Sequence, residues 1–186
     1  MKQIISLLGV VAFLCTADAQ VKAPAPYGVL PSARQINWHE LDMYVLVHFT
    51  PTTFEDKEWG FGDADPKTFN PSQFDANQII KTVKAGGFKG LILVSKHHDG
   101  FALWPTTTTN YNISKSPWQN GKGDMVKEFE QACRKSGLLF GVYCSPWDRN
   151  NAVYGSYDYI RIYRAQLKEL YTRYGPLFMS WHDGAN

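Results

Sequence analysis

The most regular feature of the chain is a series of four short, continuously apolar runs. They begin at Tyr44, Leu91, Leu139 and Leu177. None shows the in-out alternation of a half-exposed strand, and continuous apolarity over this length is typical of parallel strands buried on both faces. The runs therefore predict four strands of a parallel sheet.

Helix-like segments separate these runs. Ser72 before the first segment and Asp124 before the second are candidate N-caps. The third segment carries apolar residues at helical spacing, at Ile160, Tyr163, Leu167, Leu170, Tyr171 and Tyr174. Such spacing predicts helices whose apolar faces join the core. Residues 23–34 hold three prolines and predict an irregular lead-in before the first strand.

Alternating strands and helices predict an α/β fold with a parallel sheet. An open doubly wound sheet is one solution, but neither a G-x-G-x-x-G motif nor a P-loop follows any run. We favour a parallel (β/α)8 barrel of the TIM type. A complete barrel usually takes about 250 residues, so the 186 residues are expected to hold about the first four βα units.

The charge balance narrows the choice of partners. The chain has 19 basic and 17 acidic residues with no basic stripe, so neither nucleic acid nor an anionic membrane surface is an expected partner. An uncharged ligand fits better. Cys133 and Cys144 lack the spacing of a disulfide framework or a zinc knuckle and are expected to be buried as small hydrophobic residues.

Residues 1–19 have the pattern of a signal peptide. A lysine precedes an apolar run over residues 4–15, and residues 17–19 are Ala-Asp-Ala, the pattern that signal peptidase recognises. The run is shorter than the roughly 20 apolar residues of a membrane-spanning helix, and a buried N-terminal helix is the alternative. We expect cleavage after Ala19, export to the periplasm or the exterior, and residues 20–186 as the N-terminal portion of the barrel domain.

Polar and aromatic residues collect at the carboxyl ends of the four runs. In chain order they are His48; His97 and His98; Tyr143, Ser145, Trp147 and Asp148; and Trp181, His182 and Asp183. Three more indoles lie in the loops behind them, those of Trp59, Trp104 and Trp118. The carboxyl ends of barrel strands and their loops form the functional face of the fold. The sequence therefore predicts one site at this edge.

Two kinds of chemistry suit this set of side chains. A metal-dependent hydrolase would use His97, His98 and Asp99, which are ligand types that zinc accepts. Successive strand residues point to opposite faces, so the two histidines could share an ion only with irregular backbone. Carbohydrate fits better, because indoles stack on sugar rings while neutral imidazoles and carboxylates hydrogen-bond hydroxyls. No metal and no cofactor is expected.

Asp183, at the tip of the fourth predicted strand, is the candidate reactive group. In retaining glycosidases one carboxylate attacks the anomeric carbon, and a second, about 5 Å away, protonates the leaving oxygen and later activates water. A strand tip would hold the attacking carboxylate rigidly. We therefore expect Asp183 to be the attacking group.

Five segments, in order, resemble motifs of glycoside hydrolase family 29, the retaining α-L-fucosidases. They are MYVLVHFT, KEWGFG, SKHHDGFALWP, FGVYCSPWDR and MSWHDGAN. The resemblance implies that Asp183 is the nucleophile. It also implies a fucose pocket lined by His48, Glu58, Trp59, His97, His98, Tyr143 and Trp181. Asp99 and Gly100 would brace the turn that aims the imidazoles.

The implied substrate is terminal fucose on an oligosaccharide or glycoconjugate. The stretches SPWQNGKGDMV and SPWDRNNAVYG are similar to the branch of the family that prefers α-1,3- and α-1,4-linked fucose. Two features depart from the family's pattern. His182 stands where Phe or Trp usually precedes the nucleophile, and the family's acid/base carboxylate comes from a later part of the barrel. Glu58 resembles a substrate-binding residue instead.

Three hypotheses stay open. The chain is the N-terminal part of an active α-L-fucosidase, or a truncated, inactive product that retains sugar binding, or a metal-dependent hydrolase. The first is favoured because five motifs occur in order across residues 41–186.

Overall fold

The structure is a computed structural model that describes residues 22–184. The predicted signal peptide lies outside the described residues. Four strands form a sheet, and in chain order they are β1 (Tyr44–Val47), β2 (Gly90–Lys96), β3 (Leu139–Cys144) and β4 (Ser180–Trp181). Their spatial order is β1-β2-β3-β4 and every adjacent pair is parallel. The predicted α/β class with a parallel sheet is confirmed, and closure into a barrel stays a prediction.

Five α-helices accompany the strands in the described part of the chain. They are α1 (Ala33–His39), α2 (Pro51–Phe54), α3 (Ala76–Ala85), α4 (Met125–Ser136) and α5 (Tyr157–Arg173). Within residues 22–184 no helix is long and apolar enough to cross a membrane. Cys133 on α4 and Cys144 at the end of β3 are buried and unpaired, as expected.

The three predicted helices are present, and carboxylates cap two of them. Asp124 accepts a hydrogen bond from a free amide of α4 at 2.9 Å, as predicted. Helix α3 begins after Asp75, not after Ser72, because the Asp75 carboxylate accepts from two free amides of the first turn at 2.8 and 3.3 Å. A carboxylate at this end satisfies orphan donors and complements the helix dipole.

Helix α1 begins at Ala33, two residues before the predicted end of the irregular lead-in. The Ser32 hydroxyl caps the helix, and the Gln35 side chain accepts from the Ser32 backbone N–H at 2.7 Å. This reciprocal pair is a capping box, which is a local sequence signal. The irregular lead-in therefore extends only to Ser32.

Strand β4 begins three residues later than its apolar run predicts. Pairing with β3 starts at Ser180, opposite Val142. The ring of Phe178, just before the strand, packs over Gly90 and Gly141, where an added Cβ would come within 3.0 and 3.1 Å of the ring. The start of the run is apolar because it covers the sheet.

The sheet is buried on both faces at its centre. Leu91 and Leu93 of β2 join the large core cluster that includes α3 and α4. Ile92 and Val94 point the other way and form a second cluster with Tyr143. All seven residues of β2 are buried, which agrees with the continuous apolarity from which the strand was predicted.

The predicted apolar face of α5 is only partly correct. Leu170 is fully buried, but Ile160 and Tyr171 are 50% and 43% exposed. Gln166 is fully buried instead, because its Oε1 accepts a hydrogen bond from Lys96 Nζ at 2.9 Å. A buried ammonium needs hydrogen-bond acceptors, and it draws a polar residue into the helix face.

Candidate active site

Strand β2 ends at Lys96, and the two histidines follow it in a tight turn. The register with β3 shifts between Val94 and Lys96, and the Gly100 N–H donates to the His97 carbonyl at 3.0 Å. The imidazole centroids of His97 and His98 are 4.2 Å apart. The sequence predicts that His97 and His98, as successive strand residues, point to opposite faces of the sheet. That expectation does not apply, because both residues lie beyond the last residue of the strand.

Asp99 and Gly100 complete this turn and are enclosed by other loops. Asp99 Oδ1 accepts from the Phe101 N–H at 3.3 Å. Gly100 has φ +91°, and a Cβ there would overlap the Asp148 carboxylate. A Cβ on Gly60 would lie 2.8 Å from the Asp99 Cβ. Such close packing fits the expectation that the Asp-Gly pair braces the turn.

His48 and Tyr143 extend the imidazole pair into a cluster of four rings. The His48 ring lies 5.4 Å from that of His97 and 6.3 Å from that of Tyr143, between centroids. His97 stacks on Tyr143 at 5.9 Å with an interplanar angle of 11°. The ends of β1, β2 and β3 thus contribute to one aromatic and polar surface.

The imidazoles of this cluster favour the neutral form. Burial lowers the pKa of His97 to about 4, with further lowering from the neighbouring His98 and His48. Burial also lowers the pKa of His48 and of His98, and the Asp183 carboxylate opposes the shift in each. Neutral imidazole carries one donor and one acceptor, which suits hydroxyl groups.

Asp183 joins this cluster from the end of β4. Its Oδ2 accepts a hydrogen bond from the Tyr143 hydroxyl at 3.1 Å, and its Oδ1 accepts from the Gly184 N–H at 2.9 Å. Burial, together with the Asp183 charge, raises the pKa of Tyr143 well above its usual range. Tyr143 therefore remains a hydrogen-bond donor to the carboxylate.

Two indoles and an arginine form the opposite side of the site. The His98 ring lies 5.6 Å from the indole of Trp59 and 5.0 Å from that of Trp147. The Arg149 guanidinium sits 4.3 Å from the centre of the Trp147 ring and donates to the Gly60 carbonyl at 3.0 Å. The loop that carries Trp59 is thus fastened to the segment after β3.

Trp104 and Trp118, which lie in loops behind the strand ends but were not among the predicted site residues, are core residues. Both indoles are buried in the large core cluster. Trp104 Nε1 donates to the Glu169 carboxylate at 2.7 Å. Their loops fold back over the helices, so position behind a strand end was not enough to place a side chain on the functional face.

The structure brings six of the eight predicted site residues into mutual contact. Glu58 is exposed in the loop before Trp59, and within residues 22–184 its carboxylate has no hydrogen-bond partner. Trp181 lies opposite Tyr143 in the β3–β4 ladder and is 38% exposed. Among the described residues the side chains of Glu58 and Trp181 make no hydrogen bond and no ring contact with the cluster, although Trp181 pairs with Tyr143 through the backbone.

His182 points away from the cluster, towards α5. Its Nδ1 lies 2.6 Å from the Tyr163 hydroxyl, and its Nε2 lies 3.2 Å from the Ser180 hydroxyl and 3.3 Å from the Tyr171 hydroxyl. Successive extended residues alternate in direction, so His182 and Asp183 face opposite sides. The departure from the family's pattern thus concerns packing behind the carboxylate.

Sequence reasoning gave no role to two residues that contact the site. Ser145 was placed at the end of the third strand, and its hydroxyl contacts His98 and the Asp183 backbone. Arg149 was not singled out. A Ser and an Arg in a loop carry no local signal of function, and only the packing of distant loops reveals them.

The metal-dependent alternative gains no support from the geometry. In the described part of the chain, no group of three or more His, Cys, Asp and Glu side chains is arranged to hold a metal ion. His97 and His98 are close together, but their neighbours are Tyr143 and indoles.

Comparison with known proteins gives the family. The sequence model of the α-L-fucosidase family matches residues 25–186. Alpha-L-fucosidase 1 of Arabidopsis thaliana is 44% identical over 163 residues, which cover 87% of this chain and 32% of that protein. The plasma alpha-L-fucosidase of Homo sapiens is 32% identical over 146 residues, covering 72% and 29%.

Solved structures of the same family also match the fold of this chain. A glycoside hydrolase 29 family member from an unknown rumen bacterium superposes with a TM-score of 0.85 at 47% identity, covering 87% of this chain and 29% of that one. The Ruminococcus gnavus GH29 fucosidase in complex with fucose gives a TM-score of 0.78 at 32% identity, covering 89% and 38%.

These matches place the chain among the glycoside hydrolases. It belongs to the α-L-fucosidase family, glycoside hydrolase family 29. The chain spans about a third of the length of the relatives that it matches.

Proposed function

We propose that the chain forms the N-terminal part of the catalytic (β/α)8 barrel of a retaining α-L-fucosidase. The enzyme releases terminal fucose from an oligosaccharide or glycoconjugate through a covalent glycosyl-enzyme intermediate. One observation carries the proposal beyond family membership. The Asp183 carboxylate, held by Tyr143 at 3.1 Å, faces the same surface as three neutral imidazoles.

The strand order and burial support the barrel. Sequential order without reversal is what consecutive βα units of a barrel produce, whereas a doubly wound sheet reverses its order. The second apolar cluster of Ile92, Val94 and Tyr143 lies on the face away from α3 and α4. In a barrel this face is the packed interior.

The proposed chemistry starts at Asp183. Its carboxylate attacks the anomeric carbon of fucose while the glycosidic C–O bond breaks, and the second carboxyl group protonates the leaving oxygen, so that the aglycone departs as an alcohol. Water, deprotonated by the same second carboxylate, then attacks the glycosyl-enzyme ester and releases fucose and the free Asp183 carboxylate. The Tyr143 hydroxyl orients the attacking carboxylate through its hydrogen bond. The second carboxylate belongs, on the family resemblance, to a later part of the barrel, and Glu58 is proposed to bind substrate.

The proposed pocket recognises a neutral sugar. His48, His97 and His98 exchange hydrogen bonds with fucose hydroxyls, while Trp59 and Trp181 cover its apolar faces. The favoured substrates carry α-1,3- or α-1,4-linked fucose, which rests on the resemblance of two loops. Relative kcat/KM on these linkages and on α-1,2-linked fucose is the test of that preference.

We also propose that the chain is exported after removal of residues 1–19. The support is the charged, apolar and Ala-Asp-Ala pattern of the N-terminus. N-terminal sequencing of the secreted or periplasmic protein should begin at Gln20.

The central test is Asp183→Asn in the full-length enzyme that carries this chain. Loss of the nucleophile should lower kcat by about a thousandfold or more, while calorimetry still detects fucose binding. Mass spectrometry with a slowly hydrolysed 2-fluoro-fucosyl reagent should find the label on the wild-type peptide that contains Asp183. The control is Asp158→Asn, an exposed carboxylate on α5. Unchanged turnover, or a label elsewhere, rejects the assignment.

A further inference from the structure

Ser145 occupies a central position that the proposed mechanism does not use. It is fully buried, and its own N–H donates to the Lys96 carbonyl at 2.9 Å, so it lies where β2 and β3 end together. Its side chain also interacts with the Tyr143 hydroxyl, and three partners meet hydrogen-bond geometry with its hydroxyl oxygen. They are His98 Nδ1 at 2.7 Å, the Trp147 N–H at 3.0 Å and the Asp183 carbonyl oxygen at 3.2 Å.

The number of protons decides how these contacts can be made. A hydroxyl donates one proton and accepts at two lone pairs. The Trp147 N–H can only donate, and the Asp183 carbonyl can only accept. If the Ser145 proton goes to that carbonyl, His98 Nδ1 must carry a proton and donate to Ser145. All three contacts are then hydrogen bonds.

The other tautomer satisfies fewer groups. If His98 Nδ1 is bare, the Ser145 proton goes to the imidazole and the Asp183 carbonyl loses this donor. Loss of this part-buried hydrogen bond costs free energy. The ring also has little freedom to turn, because a Cβ on Gly184 would overlap it, which shows how closely the backbone after Asp183 lies against His98.

The tautomer determines whether the other ring nitrogen of His98, Nε2, is a hydrogen-bond donor or an acceptor. In the neutral form with a proton on Nδ1, Nε2 has only a lone pair. Among residues 22–184 no donor is within hydrogen-bonding distance of Nε2, and Trp59 and Trp147 lie beside the ring. A bare Nε2 accepts a hydrogen bond and gives none, so it selects for a hydroxyl group that donates.

We propose that Ser145 is a positioning residue that fixes His98 in the Nδ1–H tautomer and thereby makes His98 Nε2 an acceptor for one fucose hydroxyl. The same hydroxyl connects the histidine turn, residues 97–100, to the backbone of Asp183. His98 Nε2 and the Asp183 carboxylate therefore keep a fixed distance and orientation relative to each other. The inference rests on the proposed function for the identity of the sugar, but the tautomer of His98 does not depend on it.

The first experiment measures the tautomer directly. Long-range ¹H–¹⁵N correlation spectra of the histidine-labelled full-length enzyme at pH 7.5 should show a protonated Nδ1 and a bare Nε2 for His98. Ser145→Ala and the size-matched Ser145→Cys should both lose this single state, while Ser145→Thr, which keeps the hydroxyl, should restore it. A protonated Nε2 in the wild type overturns the proposal.

The second experiment measures the consequence in the full-length enzyme. Ser145→Ala should lower kcat/KM on a fucoside about tenfold or more, the typical effect of one hydrogen bond in a site. The loss should shrink to within about twofold on the one monodeoxy fucoside that lacks the hydroxyl bound by His98. Equal losses on every monodeoxy substrate would mean a general structural role and overturn the proposal.

The two experiments separate this inference from the proposed function. If the spectra show the Nδ1–H tautomer but no fucoside is cleaved by the wild type, the fucosidase proposal fails while the tautomer assignment stands. If fucosides are cleaved but the wild type shows Nε2–H, the role of Ser145 fails alone.

Discussion

Two regions predicted to line the same pocket are built in different ways. The histidine turn, residues 97–100, is enclosed by neighbouring loops, and all four of its residues are buried. In the Glu-Trp loop, residues 57–62, the side chains of Glu58 and Trp59 are exposed, and the backbone is held by hydrogen bonds from Arg149 and Asn150. The turn is fixed before a ligand arrives, whereas the loop can adjust at small cost.

The difference arises from what lies beneath each region. Lys96, directly before the turn, is fully buried and its Nζ contacts Asp148 at 3.2 Å, the Tyr159 hydroxyl at 2.9 Å and Gln166 at 2.9 Å. A satisfied buried charge of this kind specifies one arrangement. The Glu-Trp loop is held instead by the Arg149 stack on Trp59, by hydrogen bonds to the Gly60 and Gly62 carbonyls at 3.0 and 2.8 Å, and by ring contacts of Trp59.

The largest expected effect comes from removing the charge beneath the turn. Lys96→Met should lower the free energy of unfolding by about 3–5 kcal/mol, because Asp148 is left as an unpaired buried carboxylate. Denaturant titration at pH 7 measures this change. Adding Asp148→Asn to the same chain should recover most of the loss, and a double variant as unstable as the single one would argue against the ion pair as the cause.

Acid should weaken the turn through His97. Its folded pKa of about 4 lies below the ordinary 6.5, so the unfolded chain takes up the proton first as pH falls. The contribution of neutral His97 to the free energy of unfolding is complete above pH 6.5 and falls by up to about 3 kcal/mol by pH 4. His97→Asn should lose less stability than the wild type as pH falls through this window, so the difference between the two proteins should grow towards pH 4. The exposed His39→Asn on α1 is the control, and a difference between wild type and His97→Asn that stays constant across the window would contradict the burial argument.

Asp99 should affect the free energy of unfolding in the opposite direction, so that its contribution falls as pH rises. Burial raises its pKa to about 6 from 3.8, so the folded state prefers the neutral carboxyl and loses stability as pH rises from 3.8 through 6. Asp99→Asn cannot ionise and should be more stable than the wild type by about 2–3 kcal/mol at pH 8, with little difference at pH 4. Thermal melts at both pH values decide this, and an equal effect at each pH would rule out titration of Asp99.

The smallest effect is expected at the loop. Arg149→Gln removes the cation from the face of Trp147 and the hydrogen bond to Gly60, which should cost about 1 kcal/mol of stability. We expect KM for a fucoside to rise severalfold while kcat changes less than twofold. Arg161→Gln on the exposed face of α5 is the matched control. A large fall in kcat would show that the loop is as rigid as the turn.

Local sequence patterns were sufficient for most of the architecture. Continuous apolar runs gave the strands, because a strand buried on both faces needs apolar residues at every position. Asp124 capped α4 as predicted, because capping involves atoms only a few residues apart. The order of motifs also gave the set of candidate residues, of which His48, Trp59, His97, His98, Tyr143 and Asp183 meet in space.

The direction of individual side chains required the tertiary structure. Gln166 is buried because it meets Lys96, 70 residues away in sequence, and Trp104 is buried because Glu169 accepts its N–H. Ser145 acquires its three partners only where the ends of β2, β3 and β4 converge. Periodicity and caps are properties of neighbouring residues, whereas the partner of a buried polar group is chosen by the packing of the whole chain.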